Sequence, residues 1–348
     1  MRERFCASMR PNDDLLFGIA VIVLGFLFIS INLERAIPAE TTRASILQSR
    51  SSTAVHIQRA SISPLDDDIP VVTHSFFKAG TGNTLFFIAS IIGIARSNGR
   101  RPVLSKDLSL LKTMNIDLPI INASSLESFK RIQDASVGVY HKKYRNLTAL
   151  VGSSNVYFAG YLQSYKYFHH CKEEILRQFQ FRKSVTDEAL ELIQNAAEGR
   201  AVTLVGVHVR RGDLLKNSRT RGLHRTAPQE YFLTAMARIR SKLPGPLLFV
   251  VISDSLEWCR TVFLDEDVRF VRGSVAAVDM KVLASMEHLI ISVGTFGWWS
   301  AYLSAAKSVT YYRHWYNKDM ESGRRFRPKD FFPPEWIADE KELIIRQS

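Results

Sequence analysis

The sequence predicts an α/β protein in which helices cover a parallel sheet, preceded by an N-terminal transmembrane helix. Short apolar runs rich in β-branched residues alternate with segments of helical periodicity, and this alternation is typical of parallel sheets. Of the 348 residues, 46% are hydrophobic and 23% are charged, so a disordered or fibrous chain is excluded. A chain of this length suggests two domains.

The N-terminal region contains an uncharged run over residues 15–33, LLFGIAVIVLGFLFISINL. As a helix it would be about 28 Å long, which is enough to span the hydrocarbon core of a membrane. A secretory signal peptide would have a shorter apolar region and a cleavage site of small residues, whereas Glu34 and Arg35 follow here. Because Arg2, Arg4 and Arg10 precede the run, we expect residues 1–14 to be cytosolic and the rest of the chain to be lumenal.

The predicted lumenal part begins with residues 34–69, which show no sustained periodicity and are interpreted as a stem. Glycosylation sequons at Asn122 and Asn146 fit a lumenal location. Cys171 and Cys259 could pair or remain free thiols. The formal net charge of +12 indicates an anionic partner without identifying it.

Residues 70–200 are predicted to form an N-terminal α/β lobe. Val71–Thr73 has the composition of a strand, and the turn Gly80–Asn83 leads into a long apolar helix that extends to about Ser97. The later elements of this lobe are less distinct. No repeat of fixed period is present, which excludes solenoids and propellers.

Residues 201–348 give the clearest alternation and are predicted to form a C-terminal α/β lobe. The predicted strands are Val202–Val209, Leu247–Ile252, Val268–Val271 and Leu289–Val293. The predicted helices begin at Pro228, around Leu256, near Val275 and near Phe296. In an open parallel sheet, ligands bind beyond the carboxyl ends of the strands, so the residues that follow these strands are candidates for function.

The first candidate site follows the strand Val202–Val209 and reads His208-Val209-Arg210-Arg211-Gly212-Asp213. Guanidinium groups at the carboxyl end of a buried strand can bind phosphate oxygens bidentately, and Asp213 could orient one of them. Side chains one residue apart in a strand face opposite sides, so we expect unequal roles for Arg210 and Arg211. A solvated basic turn is the alternative interpretation.

The second candidate site follows the strand Leu289–Val293 and contains Gly294, Thr295, Phe296 and Gly297. Small residues at a strand-to-helix turn allow backbone amides and the helix dipole to face an anion. The alternative is a purely structural turn, with Trp298 and Trp299 in the core. Asp279, at the start of the preceding helix, is either favoured by the helix dipole or accepts a hydrogen bond from a nucleobase.

A third segment, Ser253–Glu257, is typical of a capping box, with Ser253 or Asp254 as the cap and Glu257 in the first turn. The acidic runs Asp66–Asp68 and Asp265–Asp267 resemble metal-binding Asp-x-Asp motifs. We expect neither to bind metal, because the first ends the stem and the second lies at the amino end of a strand. Motifs of P-loop nucleotidases, zinc proteases and serine hydrolases are absent.

Taken in order, these segments resemble the α-1,2-fucosyltransferase family. His208–Asp213 is similar to the family's first block, H-V-R-R-G-D, and Phe249–Arg260 is similar to its second, which ends in E-W-C-R. Ser292–Leu303 is similar to the third, G-T-F-G-W-W-A-A-Y-L. An early segment of the family, which begins G-N, is matched by Gly82 and Asn83 and the residues up to Gly99.

The resemblance implies a type II membrane enzyme of the Golgi, with two Rossmann-like lobes of the GT-B kind facing each other across a cleft. The N-terminal lobe would bind the acceptor and the C-terminal lobe would bind GDP-β-L-fucose. L-Fucose would pass, with inversion, to the 2-hydroxyl of a terminal β-galactoside on a glycan. The expected partners are GDP-fucose, this glycan and the Golgi membrane, with no nucleic acid, cofactor or metal. Fixed cations and backbone donors must then neutralise the diphosphate leaving group.

The family pattern also implies roles for individual residues. Arg210 and Arg211 would contact the diphosphate and the fucose. The guanosine and the adjoining phosphate would contact Asp279, Thr295 and Phe296, in a donor-binding turn that includes Gly294 and Gly297. His208 and Asp213 would orient the arginines, and Asp213 is also a candidate general base.

Three alternatives stay open. A fucosyltransferase of another linkage, α-1,6 or protein O-fucosylation, would share the Arg-Arg block. A membrane-anchored glycan-binding protein with weak or no turnover is favoured by Ala79–Asn83, which lacks the arginine of the family's usual G-R-L-G-N. Polyanion binding through basic segments such as Arg324–Arg327 predicts a salt-sensitive affinity that is independent of GDP.

Overall fold

Parallel strands in two sheets form the framework of the protein. The structure, a computed structural model, describes residues 68–75, 79–106, 108–134, 136–216 and 222–339. All of these lie in one compact unit, Arg59–Ser348. The strands of each sheet pair in parallel and helices pack on them, which confirms the predicted α/β class. The predicted membrane span, residues 15–33, lies outside the described residues, and the described part contains no helix suited by length and hydropathy to crossing a membrane.

The N-terminal sheet has the strand order β2-β1-β4-β3. Its strands are β1 Val71–His74, β2 Arg101–Pro102, β3 Lys130–Asp134 and β4 Val156–Gly160. Its helices and the helices that lead to the second sheet are α1 Thr81–Ser97, α2 Leu147–Val151, α3 Lys172–Gln178 and α4 Lys183–Ala197. Short 3-10 turns lie at Ser109–Lys112, Ala123–Ser128, Lys142–Arg145, Tyr165–Tyr167 and His169–Cys171. Helix α1 is buried on every side from Leu85 to Ala95, which explains why it is apolar throughout.

The C-terminal sheet has the strand order β10-β9-β8-β5-β6-β7. Its strands are β5 Thr203–Val209, β6 Leu247–Ser253, β7 Val268–Phe270, β8 His288–Ile291, β9 Ser308–Tyr311 and β10 Ile337–Ala338. The helices are α5 Gly212–Lys216, α6 Gln229–Lys242, α7 Leu256–Val262, α8 Ala276–Ala284, α9 Thr295–Tyr302, α10 Glu321–Arg325 and α11 Pro328–Phe331. The four predicted strands are confirmed as β5 to β8.

The order of the C-terminal strands is that of a doubly wound nucleotide-binding sheet. Chain connections diverge between the neighbouring strands β5 and β8, which pair from Val205↔His288 to His208↔Ile291. This divergence opens a crevice at the carboxyl ends of the two strands. In the N-terminal sheet, β1 and β4 pair from Val72↔Val156 to His74↔Phe158, so their carboxyl ends lie side by side.

One hydrophobic core continues from the first sheet to the second. Trp298 and Trp299 of α9 are fully buried, as predicted. The Trp298 ring lies 4.5 Å from the Phe86 ring of α1, and Trp299 stacks on Phe168 with ring centroids 5.4 Å apart. Because this core is continuous, the predicted boundary near residue 200 between two lobes stays a prediction.

Candidate active site

Arg210 follows β5 at the switch point of the C-terminal sheet and packs on the turn that follows β8. Its guanidinium donates two hydrogen bonds to Asp213, from Nε at 3.0 Å and from an Nη at 2.7 Å. Gly294 has φ 101°, and a Cβ built on it would lie 2.5 Å from Arg210 Nη1. A glycine is therefore needed at this point both for the backbone conformation and for the approach of the guanidinium.

Neighbouring carboxylates stabilise the positive charge on Arg210. Burial opposes that charge, but the hydrogen bonds to Asp213 and the charges of Asp213 and Asp254 outweigh it and raise the pKa of the guanidinium. The same hydrogen bonds lower the pKa of the Asp213 carboxyl, although burial opposes the effect. Arg210 is thus a fixed cation at the crevice.

Two neutral histidines flank this cation. His208 is 5% exposed, and burial together with the charge of Arg210 lowers its pKa to about 3. Gly297 leaves room for it, because a Cβ there would overlap the imidazole ring. Burial and the charge of Arg210 also lower the pKa of His224 to about 4, and its ring lies 4.7 Å from that of Tyr316. Neither imidazole competes with the guanidinium for an anion at neutral pH.

Arg211 lies in a different environment from Arg210. Its guanidinium stacks on the Trp258 ring of α7, 4.3 Å from the ring centroid. The backbone amides of residues 211–213 donate to the Asp254 carboxylate at 2.8 to 3.2 Å. The structure therefore brings Arg210 to the Gly294 turn and directs Arg211 towards α7, as the alternation of strand side chains predicts.

The amino end of α1 contacts the amino end of α9. Asn83 Oδ1 accepts hydrogen bonds from the Thr295 hydroxyl and from the Gln163 amide, each at 2.8 Å. A Cβ on Gly82 would lie 2.5 Å from the Thr295 backbone carbon, so the two helices meet at van der Waals distance. No side chain caps either helix. Two helix dipoles thus present their positive ends beside Arg210.

This arrangement of a partly buried guanidinium, uncapped helix ends and glycine turns suits a phosphate-bearing ligand, and sequence comparison identifies the family. Residues 54–340 match the profile of glycosyl transferase family 11. The chain belongs to this family. Relatives in this family that are galactoside alpha-(1,2)-fucosyltransferases confirm the predicted resemblance.

Named relatives of this family 11 glycosyltransferase include galactoside alpha-(1,2)-fucosyltransferase 2 of Sus scrofa, 29% identical over 276 residues that cover 75% of this chain and 78% of that protein. Galactoside alpha-(1,2)-fucosyltransferase 1 of Saimiri sciureus is 31% identical over 273 residues, covering 75% of this chain and 73% of that protein. Among solved structures, fucosyltransferase NodZ from Bradyrhizobium aligns with a TM-score of 0.45 and 16% identity, over 68% of this chain and 92% of that one.

The prediction of a capping box at Ser253–Glu257 is wrong. Helix α7 has Ser255 at its N-cap position, without a side-chain cap, and Glu257 is exposed. The Ser253 hydroxyl accepts the Ser255 amide hydrogen at 2.9 Å instead. The Asp254 carboxylate instead accepts hydrogen bonds from three backbone amides in the turn between β5 and α5. Three such donors stabilise a carboxylate more than one N-cap bond does.

Asp279 lies in the first turn of α8, as predicted, and fixes the loop before it. Its carboxylate accepts the Gly273 amide hydrogen at 2.6 Å. Burial raises the pKa of this carboxyl, which the Gly273 bond and Arg272 oppose. Phe296 lies beside β5, with its ring 5.7 Å from that of His208. The nucleotide contacts predicted for Asp279 and Phe296 stay predictions.

The remaining predicted residues lie away from the crevice. Asn122 and Asn146 are exposed and accept hydrogen bonds from nearby backbone amides, Ser124 and Ala149. Cys171 and Cys259 are free thiols. The acidic run before β7 binds Arg240, through Asp265 at 2.9 Å and Asp267 at 2.6 Å. Asp66 lies outside the described residues.

Several residues of the site were not predicted, among them His224, Tyr316 and the buried Ser292 and Gln163. Ser292 accepts the backbone amide hydrogen of Arg210 at 2.8 Å, and Gln163 donates to Asn83. The sequence contains a weak signal for Ser292, since it is a polar residue that ends a run of apolar strand residues. The sequence contains no signal for Gln163, because its hydrogen-bond partner Asn83 lies 80 residues away.

Proposed function

We propose that the chain transfers L-fucose from GDP-β-L-fucose to the 2-hydroxyl of a terminal β-galactoside, with inversion at the anomeric carbon and without a metal ion. The observation that carries this proposal is the contact between Arg210 and the Gly294 turn at the switch point between β5 and β8. The names of the curated relatives supply the donor sugar, the acceptor class and the linkage.

The proposed role of the crevice is to stabilise the negative charge that leaves with GDP. Arg210 supplies a full positive charge, and the amino ends of α1 and α9 each supply roughly half a charge through their dipoles. These groups are in place before the reaction, so they need little rearrangement as charge develops on the diphosphate. This preorganised positive potential supports the metal-independent form of the proposal.

Asp213 is proposed to position Arg210 rather than to act as a base. Its carboxylate accepts both guanidinium hydrogen bonds, and the lowered pKa makes it a weak proton acceptor. The displacement proposed here therefore depends more on the departure of GDP than on deprotonation of the acceptor hydroxyl. Such a reaction passes through a transition state with positive charge on the fucose ring.

The activity is tested by incubating the purified full-length chain with GDP-fucose and β-galactosides, with and without EDTA. We expect fucose transfer at equal rates in both, and a product whose linkage is α-1,2. An α-1,6 linkage or transfer to a protein hydroxyl would support the corresponding alternative. Binding of GDP-fucose with no transfer to any acceptor would contradict the proposed activity.

We also propose that the chain is a single-pass type II protein of the Golgi membrane, anchored by residues 15–33. The uncharged run and the arginines before it support this orientation. In intact microsomes, Asn122 and Asn146 should carry glycans that an N-glycosidase removes, and the catalytic part should resist added protease. Protease digestion of the catalytic part in sealed vesicles would contradict this orientation.

A further inference from the structure

The segment that begins at the end of β4, residues 160–163, has an unusual backbone conformation. The proposed binding of GDP does not explain it. Leu162 has φ 48°, in the left-handed region that residues other than glycine seldom adopt, and Gly160 has φ 139°. Leu162 is fully buried, so its conformation is not that of an exposed turn. Backbone strain of this kind persists only where surrounding contacts enforce it, and it concentrates at functional sites.

Buried polar side chains enforce this conformation from several elements. His74 at the end of β1 donates to the Gly160 carbonyl at 2.7 Å, and Ser90 of α1 donates to the Leu162 carbonyl at 2.9 Å. The Leu162 amide lies close enough to the Asp134 carboxyl of β3 to oppose the rise that burial gives its pKa. The next residue, Gln163, donates to Asn83 at 2.8 Å. Each of these bonds fixes the path of the chain on either side of residue 161.

Tyr161 is the residue of this segment whose side chain is accessible to solvent. Its side chain is 37% exposed although both of its neighbours are tightly held. On its inner side, the ring centroid lies 6.5 Å from Phe87, which stacks on His74 at 4.1 Å. Tyr161 follows the carboxyl end of β4, beside that of β1, and ligands of open parallel sheets bind beyond the carboxyl ends of the strands.

Tyr161 belongs to the same crevice as Arg210. Gln163, two residues on, is joined through Asn83 to Thr295, and Thr295 follows the glycine on which Arg210 packs. A second connection runs through Tyr316. Burial raises the pKa of Tyr316, Tyr161 raises it further, and Arg210 lowers it, so Tyr316 lies within electrostatic range of both.

We propose that Tyr161 is the aromatic surface on which the ring of the acceptor sugar packs. The C–H face of a β-galactoside carries partial positive charge and is attracted to the electron-rich face of a tyrosine ring. The enforced backbone fixes the direction of the ring before the sugar binds, which reduces the entropy lost on binding. This inference rests on the proposed function, since it assigns the acceptor of that same reaction.

The test compares Tyr161→Ala and Tyr161→Phe with Leu150→Ala, which removes a 44% exposed side chain from α2. At saturating GDP-fucose, Tyr161→Ala should raise the KM for a methyl β-galactoside about tenfold, which corresponds to about 1.4 kcal/mol. Tyr161→Phe and Leu150→Ala should stay within about twofold of the parent chain. The affinity for GDP, measured by calorimetry, should be the same in all four proteins.

An unchanged galactoside KM in Tyr161→Ala would overturn the inference, and so would a loss of GDP affinity that matches the loss of activity. Saturation-transfer NMR of methyl β-galactoside with the GDP-bound protein separates this inference from the proposed function. If the parent chain transfers no fucose, the proposed function fails; a galactoside signal that disappears only in Tyr161→Ala would still support the acceptor surface. No galactoside signal from the parent chain would contradict it.

Discussion

The Thr295 hydroxyl donates a hydrogen bond of 2.8 Å to Asn83 Oδ1, across 212 residues of sequence. This bond joins the first turn of α1 to the first turn of α9, so the N-terminal half of the fold contributes directly to the site built on the C-terminal sheet. The crevice therefore depends on how closely α1 and α9 approach each other.

The first prediction concerns that approach. A Cβ on Gly82 would lie 2.5 to 2.7 Å from backbone atoms of Thr295 and Phe296, which cannot rotate away. We expect Gly82→Ala to separate the two helices, to lower the free energy of unfolding by about 1–3 kcal/mol, and to reduce transfer more than tenfold. Gly80→Ala is the matched control, because a Cβ at Gly80 meets nothing within 4 Å. Equal activity of the two variants in a transfer assay would contradict this account.

A second prediction addresses the hydrogen bond itself. Thr295→Val keeps the shape of the side chain but removes the hydroxyl donor, while Thr295→Ser retains it. We expect Thr295→Val to lose about 1 kcal/mol of stability and to raise the KM for GDP-fucose, because within the described residues the Asn83 side chain then keeps only its hydrogen bond from Gln163. Urea unfolding and initial rates measure the two effects. A serine variant as impaired as the valine variant would show that the hydroxyl is not the cause.

A third prediction concerns the positioning of Arg210. Asp213→Asn removes the charge that holds the guanidinium, and we expect kcat/KM to fall about tenfold with a larger effect on the KM for GDP-fucose than on kcat. Asp265→Asn is a suitable control, since Asp265 binds Arg240 at 2.9 Å and is 53% exposed against 52% for Asp213. Both substitutions should lower the free energy of unfolding only slightly, because exposed ion pairs contribute little to stability. Similar kinetic effects in the two variants would contradict a specific role for Asp213.

A fourth prediction concerns stability in acid. Burial lowers the pKa of His74 from 6.5 to about 4, although its bond to the Gly160 carbonyl opposes the shift. A lowered pKa in the folded state gives stability that is complete above about pH 6.5 and lost as the pH falls towards 4, with a cost of about 3 kcal/mol by pH 4. His74→Phe keeps the stack on Phe87 and removes the titration. Its free energy of unfolding should therefore decline less steeply over this range, and parallel declines would contradict the assignment.

The C-terminal half of the fold could be predicted because its strands are long, apolar and buried, and the switch-point rule then places Arg210 and Gly294 at one edge. The N-terminal sheet was harder to predict. Its strand β2 has only Arg101 and Pro102, and β3 begins with the exposed Lys130 and Arg131, so neither has an apolar pattern. Short or polar strands are defined by their partners, which a single sequence does not show.

Long-range polar contacts were the part of the site that the sequence could not supply. The Asp254 pattern predicts a local helix cap, yet its carboxylate binds amides more than 40 residues away. Gln163 reaches Asn83 through a turn whose conformation depends on His74 and Ser90. In both cases tertiary hydrogen bonds outweigh the local preference, because buried polar groups must find partners wherever the fold provides them.

The central claim, that Arg210 is the cation which binds the diphosphate, is tested most directly by calorimetric titration of GDP into the purified full-length chain and its Arg210→Ala and Arg211→Ala variants. Loss of a charged partner that the bound nucleotide would cover costs about 2–5 kcal/mol, so Arg210→Ala should weaken GDP binding about thirtyfold or more. Arg211→Ala should change it by less than about threefold, because that guanidinium stacks on Trp258. A folded Arg210→Ala protein that binds GDP as tightly as the parent chain would contradict the claim.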